Sequence, residues 1–129
     1  IKLAPVYDCG SCLFPQASEE IMKNTLEDPE ERNLRVFEIP LSGIKINGKK
    51  IRYFDFISSL QNTDCNQALK RILARIDLIK INKIIDETPF ISDLQKTFYK
   101  TILKERKEHI LNFSYEKLCK SKSSLSNEN

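Results

Sequence analysis

From Asn62 onward the chain repeats apolar residues at intervals of three and four, and this periodicity restricts the fold more than any other feature. Ala68, Leu69, Ile72, Leu73 and Ile76 form one stripe, opened by Thr63 or Asp64 as the cap. Asp77 opens a second, with Leu78, Ile81, Ile84 and Ile85 on its face, and Pro89 closes it. Ser92 caps a third and longer one carrying Leu94, Phe98, Ile102, Ile110 and Phe113. Lys96, Lys100, Lys104 and Lys107 fall on its wet side, beside Glu105 and Glu108. The spacing predicts helices over 64–76, 78–87 and 92–113, each burying its stripe against the others. Tyr115 and Leu118 extend the last helix or dock a further turn. The polar stretch 121–129 is expected to fray, leaving a domain over 1–120.

The first sixty residues carry shorter signals. Ser18 can cap a helix whose first turn holds Glu19 and Glu20 and whose apolar edge is Ile21, Met22 and Leu26. Asp28-Pro29 restarts it, with proline at the first helical position. Val36-Phe37-Glu38-Ile39-Pro40 then reads as extended. The alternation Ile44 to Tyr53 about Asn47-Gly48 predicts a two-residue hairpin with a type I′ turn, which must lie on something to persist. Phe54, Phe56, Ile57 and Leu60 return the chain to the core as a short helix. The fold class expected is mainly α with one β-hairpin, and no internal repeat is visible.

Composition narrows the function classes. The chain has 129 residues, 40% of them apolar, which suffices for the core of one domain. Three glycines and no tryptophan argue against a turn-rich β-sandwich. Residues 1–60 hold 8 basic and 9 acidic side chains and the remainder 13 and 9, so the net charge of +3 is diffuse. Nucleic acid is therefore not expected as a direct partner. No apolar run reaches the roughly 18 residues of a membrane span, and no secretory signal opens the chain. A start at Ile1 rather than Met is what a trimmed or processed piece would show. Four cysteines without a leader read as reduced thiols of a cytoplasmic protein.

The opening stretch, Ala4 to Pro15, differs in chemistry from all that follows. Two prolines, a glycine, two cysteines, two aromatics and one carboxylate share twelve residues. Pro5 and Pro15 push Ala4 and Phe14 toward extended backbone, and Gly10 lets the chain turn after Asp8. Cys9-Gly10-Ser11-Cys12 has dithiol spacing, but Pro15 opposes a helix starting at Cys12 and no βαβ pattern follows. The same run begins a papain-type signature, yet Leu13 stands where Trp or Tyr belongs. The sole histidine, His109, sits among charged residues on a helix. A zinc site would need Cys65, His109 or Cys119 to complete Cys9 and Cys12, and these are scattered; Cys65 and Cys119 suit small core positions equally well. That leaves Asp8, a carboxylate on a constrained loop. It either holds a divalent cation together with phosphate oxygens or caps nearby backbone N–H groups.

Leu3-Ala4-Pro5-Val6-Tyr7-Asp8-Cys9-Gly10-Ser11-Cys12-Leu13-Phe14 resembles the segment after the catalytic loop in the HipA-like and CtkA-like serine/threonine kinases. The likeness is specific at Pro5, Tyr7, Asp8, Gly10 and Ser11 and general over about 115 residues. It implies the helical part of a kinase large lobe, with Asp8 binding the Mg²⁺ that bridges the phosphates of ATP, supported by the loop residues Pro5, Tyr7, Gly10 and Ser11. It further implies a cytoplasmic bacterial setting of toxin–antitoxin or effector type, with a protein substrate or antitoxin-like partner. The nucleotide-binding lobe and catalytic loop of such kinases have no counterpart here, so the chain alone is expected to be inactive. A self-standing helical interaction module is the alternative.

Overall fold

The computed structural model describes residues 10–127. Residues of the opening stretch before Gly10, among them Pro5, Tyr7 and Asp8, lie outside it. The architecture is mainly helical with a single two-stranded antiparallel sheet among the described residues, as expected. In chain order it comprises α1 (Glu19–Glu27), α2 (Pro29–Asn33), a π-helical turn Leu34–Glu38, β1 (Lys45–Ile46), β2 (Lys49–Lys50), α3 (Tyr53–Ser58), α4 (Thr63–Leu73), α5 (Leu78–Glu87) and α6 (Asp93–Arg106). A second π-helical turn, Lys107–Asn112, leads from α6 into α7 (Phe113–Asn127), and so into the stretch expected to fray.

Helix starts follow side-chain chemistry. Ser18, Asp28 and Asp77 each accept a backbone N–H of the first turn, and Ser92 forms a reciprocal capping box with Gln95. The cap of α4 is Asn62 rather than Thr63 or Asp64, its side-chain Oδ1 accepting from the Cys65 N–H at 2.8 Å.

Helix α6 is the axis. It packs on α1, α5 and both π turns, and Phe98 and Ile102 on it are fully buried. Met22 of α1, Val36 and Ile110 complete the central cluster, walled by Phe14, Phe37, Phe54, Ile57 and Leu94. Removing each such side chain from water contributes about 1.5–3 kcal/mol. Thr25 is also fully buried and avoids an orphan hydroxyl by donating to the Ile21 carbonyl at 2.7 Å.

Several expectations need correction. Val36 to Glu38 is helical rather than extended, closed by the Ile39 N–H on the Leu34 carbonyl at 3.0 Å. The wide turn seats Val36 in the core and sets Phe37 edge-on to Phe54, centroids 5.1 Å apart. Only Ile39, before a cis Pro40, is extended. The hairpin exists, with positive φ at Asn47 and Gly48 as a type I′ turn requires. Its strands, however, are two residues long and exposed on both faces, so Ile46 lies half in water. The half-buried Ile44 and Ile51 anchor it through one backbone hydrogen bond, and three lysines guard its edges. The stripe residues Ile72, Ile84 and Phe113 are exposed. Among the wet-side lysines, Lys96 and Lys100 are partly covered and bond Asp86 of α5.

Candidate functional site

The loop that carries the chain into this bundle is built against the C-terminal end of α6. Ser11 accepts the Phe14 N–H through its carbonyl at 3.2 Å, and Phe14 in turn accepts from Ala17 at 3.0 Å. Phe14 stands at φ 56, in the left-handed region, although Pro15 follows it and the sequence favours extended backbone there. The tertiary environment overrides that preference. The Phe14 ring packs edge-on to the buried Phe98, centroids 6.2 Å apart, and the Arg106 guanidinium lies 5.7 Å above its centre.

Arg106 ends α6 and reaches three carbonyls. It donates to Cys12 at 2.9 Å, Arg35 at 3.1 Å and Ile39 at 3.3 Å, thereby joining the loop, the first π turn and the residue before Pro40. Burial pushes its basicity below the usual arginine range, opposed in part by the nearby Cys12 thiol.

Two hollows flank this corner. One, of about 360 Å³, has walls from Cys12, Val36, Ile39, Pro40, Tyr53, Ile57, Ile110 and Leu111, with Arg106 at its side. The other, more open and of about 540 Å³, is bordered by Gly10, Ser11, Phe14, Pro15, Ile21 and Arg35. Of the site residues expected from sequence, Gly10 and Ser11 are therefore exposed at the mouth of a groove, whereas Pro5, Tyr7 and Asp8 lie outside the described residues. Among the described residues nothing lies within 4 Å of where a Cβ on Gly10 would stand.

The other chemistry candidates are dispersed. Cys12 is exposed and Cys65 half-buried, where burial raises its thiol pKa; Cys119 is exposed, not in the core position expected for it. His109 is on the surface, its Nε2 2.8 Å from Glu105. Among the described residues no three His, Cys, Asp or Glu side chains gather as a metal would require. The closest charged cluster is structural: Arg52 forks onto Asp55 at 2.7 and 3.0 Å and also pairs Glu38, tying α3 to the first π turn. Arg52 holds the Asp55 carboxyl below the usual range, and both carboxylates raise Arg52. Sequence reasoning passed over Arg106. Its partners are distant in the chain, and the only local sign is an arginine in the last turn of an amphipathic helix.

No family model matches the chain. The fold nevertheless coincides with one portion of a serine/threonine kinase. The relative in question is the serine/threonine-protein kinase CtkA of Helicobacter pylori strain J99, 45% identical over 115 residues, which are 88% of this chain and 35% of that protein. The crystal structure of a Helicobacter pylori proinflammatory kinase CtkA superposes with a TM-score of 0.86 at 43% identity, covering 94% of this chain and 44% of that one. The chain thus spans about a third of the length of the curated relative it matches.

Proposed function

We propose that this chain is the back part of the large lobe of a serine/threonine kinase, and that Asp8 serves a Mg²⁺·ATP site completed by residues beyond it. The observation that carries the reading is the likeness to one portion of CtkA, which runs through nearly the whole helical bundle at 43% identity. The opening loop adds the chemistry. It holds one carboxylate, Asp8, and no other acidic side chain between Ile1 and Ala17. Mg²⁺ is commonly held by one or two carboxylates together with nucleotide phosphates, so that single donor suits it. When bound, the cation would neutralise charge on the phosphoryl group being transferred. The chain's own part is to fix the loop: Phe14 is wedged on Phe98, and Gly10 and Ser11 edge the open groove. Pro5 and Tyr7 are the matching supports on the other side of Asp8. The resemblance of this loop to HipA-like kinases extends the reading to a cytoplasmic enzyme with a protein substrate or antitoxin-like partner.

Titration calorimetry with ATP and Mg²⁺, run on residues 1–129 and on the full-length protein, tests the division of labour. The full-length protein is expected to bind and the chain alone to give no measurable heat and no autophosphorylation. A low-micromolar dissociation constant for the chain alone would contradict it.

A further inference from the structure

The two π-helical turns, Leu34–Glu38 and Lys107–Asn112, come from distant parts of the chain yet wall one hollow. Val36 and Phe37 enter it from the first and Ile110 and Leu111 from the second, with Tyr53 and Ile57 of α3 closing the sides. Single π turns within helices are rare and recur at functional sites. The neighbouring hollow takes only Arg35 from either turn. At about 360 Å³ the space lies at the small end of the range for ligand pockets, and most of its lining side chains are hydrocarbon. Such a volume admits a small molecule rather than a helix, which is about 10 Å across.

Arg106 brings a charge to this wall. A guanidinium carries five N–H donors, and the carbonyls of Cys12, Arg35 and Ile39 take three of them. The Nε–H and one Nη1–H have no acceptor among the described residues. No described carboxylate forms an ion pair with Arg106 either. Neutral carbonyls therefore fix the cation in place without neutralising it, and its planar fork matches a carboxylate. We propose that the hollow is a binding site for a small apolar carboxylate, its aromatic or aliphatic body between the two π turns and its carboxylate accepting from Arg106. The site goes beyond the kinase reading and does not depend on it, since no residue of the proposed Mg²⁺·ATP site takes part.

The test uses the full-length protein with its isoleucine methyl groups labelled for NMR and two probes of one shape. These are naphthaleneacetate and naphthylethanol, in which a hydroxymethyl group replaces the carboxylate. Naphthaleneacetate is expected to shift the methyl signals of Ile57 and Ile110 and to saturate with a dissociation constant of about 1 mM or tighter, as its size allows. Ile21, at the neighbouring hollow, and Ile84, on the exposed side of α5, should stay in place. Naphthylethanol should bind roughly 10-fold more weakly, because it forfeits the charge-assisted hydrogen bonds. Leu111→Trp fills the hollow and should abolish the Ile57 shift; if that variant fails to fold, the methyl map of the unaltered protein decides. Equal affinity for the two probes, shifts centred on Ile21 or Ile84, undiminished binding by folded Leu111→Trp, or no saturation by about 10 mM would overturn the proposal.

Discussion

Helices α5 and α6 look alike in sequence and differ in what they bury. Each opens on a capping side chain and carries aliphatic residues at three- and four-residue spacing. On α6, Phe98 and Ile102 are wholly enclosed, because α1, α5 and both π turns surround it. On α5 only Ile85 is buried, while Ile79 and Ile84 are 83% and 67% exposed. Helix α5 rests on α6, with Asp86 held by Lys96 and Lys100, and its far side, with Ile79 and Ile84, is exposed. Periodicity thus identifies a helix, but the number of neighbours decides how much of its stripe is core.

That contrast can be broken most easily at its strong end. Phe98→Ala empties a site with no solvent access and is expected to cost about 3–5 kcal/mol. Urea denaturation would read this as a large fall in midpoint, and a loss under 1 kcal/mol would deny α6 its central place. Next in size are the caps. Ser92→Ala removes half of a capping box and should cost about 1 kcal/mol, with Asp77→Ala on α5 close behind; equal losses near zero would mean that tertiary packing alone sets both starts.

Smaller again is the Arg52 cluster. Because Arg52 holds the Asp55 carboxyl below its usual range, the pair stabilises the fold above the unfolded-state carboxylate pKa of about 3.9. The contribution is lost as pH falls through the lower folded value. Arg52→Met should therefore narrow the acid-side gap in melting temperature between pH 6 and pH 2. Half-exposed partners keep the effect within about 1 kcal/mol. An unchanged gap would show that the pair contributes nothing. At the weak end, Ile79→Ala is expected to stay within about 0.5 kcal/mol. A loss of 2 kcal/mol or more would place α5's outer face in a packed interface.

Much of this was legible because it is local. Ser18, Asp28, Asp77 and Ser92 act as caps, and Asn47-Gly48 makes the turn, since each needs only its near neighbours. What could not be read is decided by distant partners. Val36 and Phe37 adopt a π turn because Phe54 and the core claim them, and Phe14 defies Pro15 because Phe98 and Arg106 receive its ring. Arg106 leaves only the trace of an arginine in the last turn of α6, because its three acceptors become neighbours only once the bundle has formed. The expected site at Pro5, Tyr7 and Asp8 rests on resemblance to a kinase loop and lies outside the described residues, where the fold adds only the groove beside Gly10 and Ser11.

On the proposed reading, this chain brings one metal-binding carboxylate to a kinase site assembled with other residues. The most direct test of that claim is Asp8→Asn in the full-length protein, with phosphoryl transfer and melting temperature measured on the same preparation. The substitution removes a charge and keeps the size of the side chain. Transfer should fall by at least about 100-fold, beyond what loss of an outer-shell partner usually costs, with the melting temperature essentially unchanged. Near-normal transfer, or a protein that simply unfolds, would make Asp8 a structural loop residue and contradict the claim.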